Sequence, residues 1–166
     1  MMRRFTLALA VLATTGCGLQ PLYQGGGYGA VATTLGSVTV GPIDGQNGWL
    51  MRSKLADRLS VGPGGAARYR LDVKLDDNIV AFGLRSDRAA TQERRTLRAR
   101  FQLVELRTGT VVLDATAGSD AGIDIVSSEY ATVAAEQTAL ENLSDIVADQ
   151  IVARIALFAS RTAAAK

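Results

Sequence analysis

The sequence predicts an α+β fold, a two-layer sandwich of about four mainly antiparallel strands with one short and one long helix packed on one face. Two patterns support this prediction. Apolar and charged residues alternate in several segments between Arg68 and Ala117, which is the two-residue period of strands with one covered face. From Ser128 to Ser160 apolar residues instead recur every three or four positions, as on one side of a helix.

The first part of the predicted domain holds one strand and the short helix. The strand covers Thr34 to Val40 and ends at Gly41-Pro42. The short helix is predicted over Trp49–Leu59, because apolar residues recur there at a spacing of four. Gly62-Pro63-Gly64-Gly65 then stops the helix and forces a turn.

Three consecutive antiparallel strands are predicted next. The second strand begins at Arg68, and Asp76-Asp77-Asn78 is expected to turn the chain before the third strand, Arg94–Leu106. Thr108-Gly109 makes a tight turn into the fourth strand, Thr110–Ala117. The apolar side chains predicted to face the helices are Tyr69, Leu71, Val73, Leu75, Leu97, Ala99, Phe101, Leu103, Val111, Leu113 and Ala115.

The long helix is predicted from Ser128 to about Ser160. Ser127 or Ser128 can cap its first turn, and neither proline nor glycine interrupts it. Apolar residues occupy a wider arc in its last turns, so we expect that end to be more buried. In this prediction the single α+β domain covers residues 34–160, and residues 161–166 form a disordered tail.

The N-terminus has the pattern of a lipoprotein signal peptide. Two arginines precede an apolar run that is too short to span a bilayer, which takes roughly 20 residues. The run ends in small residues followed by Cys17, the only cysteine, as in a bacterial lipobox, although Thr14 stands where leucine is usual. We therefore expect a signal peptide over residues 1–16, lipid attachment at Cys17, and a flexible glycine-rich tether over residues 17–33. An ordinary signal peptide with a chance cysteine is the alternative.

Cleavage of this signal removes the net positive charge. The chain has 18 basic and 16 acidic residues, and the signal holds two of the arginines but no acidic residue, so the remainder has 16 of each. A chain with balanced charges gives no support for nucleic-acid binding.

The composition excludes several common catalytic designs. The chain contains no histidine, so it cannot form a Ser-His-Asp triad, a Cys-His pair or a histidine-based zinc site. Asp120, Asp124 and Glu129 do not have the spacing of a calcium-binding loop. We predict no enzymatic activity, no metal site and no cofactor. A periplasmic enzyme with a carboxylate or serine-based site is the weakest alternative.

Arginine is concentrated between positions 85 and 100. Guanidinium groups bind phosphate and carboxylate through two parallel hydrogen bonds, so this segment suits a phosphorylated ligand or an acidic partner. Alternatively, the arginines pair with carboxylates on neighbouring strands of a solvated sheet face. The sequence favours neither use for Arg85 and Arg88, in the predicted loop, and favours pairing for Arg98 and Arg100. The available carboxylates are Asp72, Asp76 and Asp114.

Three segments of the chain coincide in order and spacing with one known family. They are Cys17–Tyr23, the strand that opens with Glu93-Arg94-Arg95, and Ala148–Leu157 in the long helix. Together they resemble the lipopolysaccharide-assembly lipoproteins of the LptE family, as found in alphaproteobacteria. The resemblance covers nearly the whole chain after the signal.

The resemblance implies a non-enzymatic lipoprotein on the periplasmic face of the outer membrane. Members of the family insert into the β-barrel LptD, as a heterodimer, and help it deliver lipopolysaccharide to the cell surface. Gly18 agrees with this location, because an aspartate there commonly retains lipoproteins at the inner membrane. The family also implies lipopolysaccharide binding by basic loop residues, which we assign by position and chemistry to Arg85 and Arg88. The alternative is an accessory lipoprotein of an envelope lipid ABC transporter.

Overall fold

The computed structural model describes residues 29–59, 65–84 and 90–164, which form one sheet and the helices that cover it. The strands lie in the order β1-β2-β3-β4; β1 is parallel to β2, and the other neighbours are antiparallel. The predicted α+β class is confirmed. The elements in chain order are α1 Ala30–Leu35, β1 Val38–Val40, α2 Gln46–Arg58, β2 Tyr69–Leu84, β3 Ala90–Glu105, β4 Thr110–Asp124 and α3 Glu129–Ala164.

The hydrophobic core lies between one face of the sheet and the helices. Burial of each large apolar side chain there contributes about 1.5–3 kcal/mol, so this layer is the main stabilising feature of the fold. The fully buried side chains come from the sheet and from both long helices, as the two periodicities predict. They include Leu71, Leu97, Phe101, Leu103, Met51, Leu55, Leu143, Val147, Ile151 and Ile155.

The first strand differs from the prediction. Ala30–Leu35 forms the short helix α1, and only Val38–Val40 joins the sheet. Val31 and Leu35 lie four apart on one side of α1 and are both buried in the core, so packing selects a helix where the sequence suggested tether and strand. Gly36 ends α1, with its N–H bonded to the carbonyl of Ala32.

The turn predicted at Asp76-Asp77-Asn78 is wrong. β2 continues to Leu84 and stays paired with β3, with Asp76 opposite Arg98 and Asp77 opposite Leu97. Asp and Asn favour turns because their side chains can hydrogen-bond to the nearby backbone. Here side chains from two other elements bind Asp77, so tertiary contacts override the local preference.

A β-bulge changes the predicted face of one residue. Leu103 pairs with Leu113, but Val104 pairs with Val111, so Val112 is an extra residue in β4. A shift of one residue moves a side chain to the opposite face of the sheet. Val111, predicted to face the helices, therefore points away from them and is 50% exposed.

The long helix α3 follows the prediction at its start and extends further at its end. The Ser128 hydroxyl accepts a hydrogen bond from the N–H of Ala131 at 3.4 Å, as expected of a cap. The helix runs past Ser160 to Ala164, into the segment predicted as a tail. Its second half carries most of its fully buried apolar residues, which confirms the expected asymmetry.

Candidate functional site

The residues predicted to carry function are only partly within the described structure. Cys17, the expected lipid attachment site, and the loop arginines Arg85 and Arg88 lie outside the described residues. The rest of the arginine-rich segment is β3, whose side chains alternate between the two faces of the sheet. The face on which each arginine lies decides whether it is available to a ligand.

Arg95 faces the helices and is not available. Its Nε and Nη2 donate to the two carboxylate oxygens of Asp77 at 2.9 and 2.5 Å, and its Nη1 donates to the backbone carbonyl of Glu136 at 2.9 Å. Asn47 of α2 also donates to Asp77, at 2.5 Å. This buried network joins α2 and α3 to the sheet. Arg95 therefore has a structural role, which the sequence pattern did not predict.

Glu93 lies on the same face of β3, nearer the end of the sheet. Burial raises the pKa of its carboxyl group, and the charge and hydrogen bonding of Glu136 raise it further. Its Oε2 is buried and has no hydrogen-bond partner among the described residues. This carboxyl therefore takes up a proton more readily than an ordinary glutamate.

The other face of the sheet, which we call the outer face, carries charged side chains of both signs. Arg100 donates from Nη2 to Asp114 at 3.0 Å and holds the pKa of that carboxyl below its usual range. This confirms the pairing predicted for Arg100. Arg70 pairs similarly with Asp72, with 2.8 Å between Nε and Oδ1. Part of the outer face is therefore a self-compensated, solvated surface.

Beside these pairs lies a basic groove that contains three further cations, Lys74, Arg98 and Arg154, together with Arg100 and one carboxylate, Asp76, which stands opposite Arg98. The groove has a volume of about 540 Å³ and follows the outer face to the β4 edge, where Arg154 of α3 closes it. None of the three cations forms a salt bridge with another described residue, so the pairing predicted for Arg98 is not observed. Lys74 stands directly opposite Arg100, an unfavourable arrangement of like charges. The groove is chemically suited to carboxylate or phosphate groups.

The far end of the hairpin β2–β3 combines apolar and cationic side chains. The guanidinium carbon of Arg94 lies over the ring of Phe82, 5.4 Å from its centre, as in a cation–π contact. Val80 on the same face is more than half exposed. This end of the sheet leads directly into the segment that holds Arg85 and Arg88.

Metal-binding clusters and membrane-spanning helices are both absent from the described residues, 29–59, 65–84 and 90–164. No group of three His, Cys, Asp or Glu side chains within them could hold a metal ion. No helix within these ranges has both the length and the apolar character needed to cross a membrane.

The fold and the basic groove define a small α+β protein with a cationic surface suited to binding anionic groups. The sequence profile of the LptE family, described as lipopolysaccharide-assembly, matches residues 35–155. The chain belongs to the LptE lipopolysaccharide-assembly family, which confirms the resemblance in its sequence. A comparison with curated protein sequences finds no significant match.

Solved structures of lipoproteins share this fold. A candidate lipoprotein from Caulobacter crescentus CB15 is 25% identical, with a TM-score of 0.64 over 81% of this chain and 98% of that one. Rare lipoprotein B from Shewanella oneidensis is 11% identical, with a TM-score of 0.58 over 76% of this chain and 96% of that one. The second similarity shows the fold alone. With the family match, the chain is a lipopolysaccharide-assembly lipoprotein of the bacterial envelope.

Proposed function

We propose that this chain is a non-enzymatic lipoprotein, anchored through Cys17 on the periplasmic face of the outer membrane, that partners the LptD β-barrel in lipopolysaccharide delivery. Membership of the LptE family supports the lipopolysaccharide role. The observation that carries the partnership is the basic groove, whose cations Lys74, Arg98 and Arg154 have no described ion-pair partner. The interior of an outer-membrane barrel is polar and can supply carboxylates to such a groove.

The electrostatics of the outer face favour a partner with negative charges. Lys74 faces Arg100, whose charge Asp114 partly compensates, and Asp76 stands opposite Arg98, so the repulsion that remains comes from the excess of cations over these two carboxylates. Carboxylates on a barrel wall relieve this repulsion and form charge-assisted hydrogen bonds with the guanidinium groups. A lipid anchor at Cys17 increases the effective concentration of the chain beside a membrane partner.

Charge reversal in the basic groove tests the partnership. We expect Lys74→Glu with Arg98→Glu to reduce the LptD recovered with the chain from detergent-solubilised outer membranes. The control is Arg107→Glu in the turn after β3, where the side chain is 81% exposed. Full recovery of LptD with the double variant would show that the basic groove is not part of the interface. Recovery of an inner-membrane transporter in place of LptD would instead support the ABC-transporter alternative.

Lipidation at Cys17 has a direct test. Mass spectrometry of the mature N-terminus should find a triacylated cysteine as the first residue, because a single acyl chain holds a protein on a membrane only marginally. Cys17→Ala should move the chain from the membrane to the soluble periplasmic fraction. An unmodified cysteine, with the chain still at the membrane, would contradict the anchor.

Direct lipopolysaccharide binding is proposed at Arg85 and Arg88. The neighbouring strand ends support this assignment, because Val80 and Phe82 are exposed beside the cationic Arg94, a combination suited to a phosphorylated lipid. We expect Arg85→Ala with Arg88→Ala to weaken binding of purified lipopolysaccharide while the midpoint of thermal unfolding stays unchanged. Arg107→Ala is the matched control. Equal binding by the double variant and the control would show that Arg85 and Arg88 do not bind lipopolysaccharide.

A further inference from the structure

The last five residues of β4, 120–124, lie along a free edge of the sheet. β4 is the last strand in the order β1-β2-β3-β4, so one side of it has no neighbouring strand among the described residues. An edge strand presents unpaired N–H and C=O groups that can bind another strand. Whether this edge is open depends on which backbone groups point outward and on what covers them.

Two contacts establish which residues of β4 point to the edge. The N–H of Ile125 donates to the carbonyl of Thr91 in β3 at 3.0 Å. The backbone N–H and C=O groups of odd-numbered residues in this part of the chain therefore point toward β3. The N–H of Gly118 instead donates to the side-chain oxygen of Gln150 at 3.1 Å. The backbone groups of even-numbered residues therefore point away from β3, toward the edge of the sheet. By this alternation the backbone groups of Gly122 and its even-numbered neighbours point away from the sheet.

The edge is closed at one point and open beyond it. Gln150 of α3 caps Gly118, accepting from its N–H and donating to its carbonyl at 3.4 Å. Beyond this cap, no hydrogen bond joins the backbone of residues 120, 122 or 124 to another residue on its outward side within the described ranges. A groove of about 600 Å³ separates this part of β4 from α3.

The groove has one large exposed apolar side chain on its inner side and carboxylates on its outer side. Ile146 of α3 is 45% exposed at the groove, and the polar Thr138 and Asn142 of the same helix also line it. Asp120 and Asp124 of β4 lie toward the outer face and are exposed. The nearest described cation to Asp120 is Arg94, at 3.9 Å. A strand added here would therefore contact apolar groups on one face and carboxylates on the other.

We propose that an extended segment of a partner protein adds to the open edge of β4 as a fifth strand. Its residues alternate between apolar side chains, which contact Ile146 in the groove, and basic side chains, which lie beside Asp120 and Asp124. Strands in a closed barrel wall have no free edge, so the segment lies outside such a wall. The proposal thus goes beyond the LptD partnership and does not depend on it.

A second copy of this chain is a poor occupant of the edge. Antiparallel pairing of two β4 strands centred on Gly122 would place Asp120 of each copy opposite Asp124 of the other. Like charges directly opposite on paired strands are destabilising. The same carboxylates that select a basic segment therefore oppose self-association.

Hydrogen exchange with a defined peptide tests the proposal. The probe is an end-blocked nine-residue peptide of alternating valine and lysine, added to the full chain, with a valine–glutamate peptide as its control. We expect the lysine peptide to slow exchange of the Gly122 amide about tenfold, because a bound strand protects edge amides. The Ile125 amide, already bonded to β3, should not change. Equal protection by both peptides, or none by either, would overturn the proposal.

Two variants separate the backbone and charge contributions. Gly122→Pro removes an edge N–H and leaves the β3-facing groups in place, so it should abolish binding of the lysine peptide. If this variant does not fold, Asp120→Lys with Asp124→Lys changes only exposed side chains. It should reverse the peptide preference by about tenfold, as expected for two cross-strand charge pairs. An unchanged preference, or dimers in sedimentation analysis of the unmodified chain, would contradict the proposed occupant.

Discussion

At the scale of single residues, the two faces of β3 give identical side chains different roles. Arg95 is 8% exposed and binds Asp77 and a helix carbonyl, whereas Arg98 on the outer face has no described ion-pair partner. A buried charge is stable only when paired, while an exposed one is hydrated. Arg95 shares the odd-numbered face of Leu97 and Phe101, and this alternation is the sequence signal that could have identified it.

Removing the Arg95 guanidinium should be strongly destabilising. Arg95→Met leaves the carboxylate of Asp77, whose side chain is only 14% exposed, without its main partner, so we expect a loss of about 3–5 kcal/mol in the free energy of unfolding. Urea denaturation measures this loss. The matched control, Arg98→Met on the opposite face of β3, should change stability by no more than about 0.5 kcal/mol. Similar losses in the two variants would contradict the structural role of Arg95.

At the scale of elements, matched spacing on α2 and α3 joins the two helices. Lys54 and Arg58 lie four apart on α2, and Asp145 and Asp149 lie four apart on α3. Lys54 Nζ is 2.7 Å from Asp145, and Arg58 bonds to both aspartates, at 3.1 and 2.6 Å. The polar side of α2 thus contacts α3 instead of facing only solvent.

The Asp145 ion pairs should make stability depend on pH. Lys54 holds the pKa of Asp145 below its usual value of 3.8, chiefly through their hydrogen bond. The stabilisation is therefore complete above that value and is lost as the pH falls through the lower folded pKa. We expect Asp145→Asn to cost about 1 kcal/mol or less at pH 7, since the pairs are partly exposed, and nothing in strong acid. Urea titrations at several pH values, with Glu141→Gln as control, measure the difference, and a loss independent of pH would contradict it.

The buried side of α3 should be far less tolerant than its exposed side. Ile151 is fully buried in the core, so Ile151→Ala should lower the free energy of unfolding by about 2–5 kcal/mol. Leu157 lies on the same helix and is 45% exposed, so Leu157→Ala should cost clearly less. Chemical denaturation of both variants tests the packing. Equal costs would contradict the placement of the helix.

At the scale of the whole molecule, the two proposed surfaces are separate. The basic groove is lined by residues of β2, β3, the middle of β4 and the second half of α3. The edge groove is lined by residues 120–124 and the first half of α3, and no residue lines both. The Gln150 cap at Gly118 lies between them. The two proposed surfaces therefore share no residue that a single substitution would alter in both.

Independent binding is a testable consequence of this separation. Lys74→Glu with Arg98→Glu should lower recovery of LptD and leave protection of the Gly122 amide by the lysine peptide unchanged. Gly122→Pro should leave recovery of LptD unchanged and abolish protection by the lysine peptide, read at the neighbouring edge amides of Asp120 and Asp124. Combining all three changes should give the sum of the separate effects, because sites without shared residues are nearly additive. If either variant lost both LptD recovery and binding of the lysine peptide, the two surfaces would not be independent.

Local sequence patterns predict the α+β class, the long helix and most of the inward face of the sheet, because alternation and helical periodicity are local properties. The sequence also carried the family, confirmed over residues 35–155. Three features are visible only in the folded chain: Ala30–Leu35 is helical, β2 passes through Asp77, and a bulge turns Val111 outward. These features depend on contacts between residues distant in the chain, which no local pattern records. The same long-range packing buries Arg95 and leaves Arg98 open to a partner.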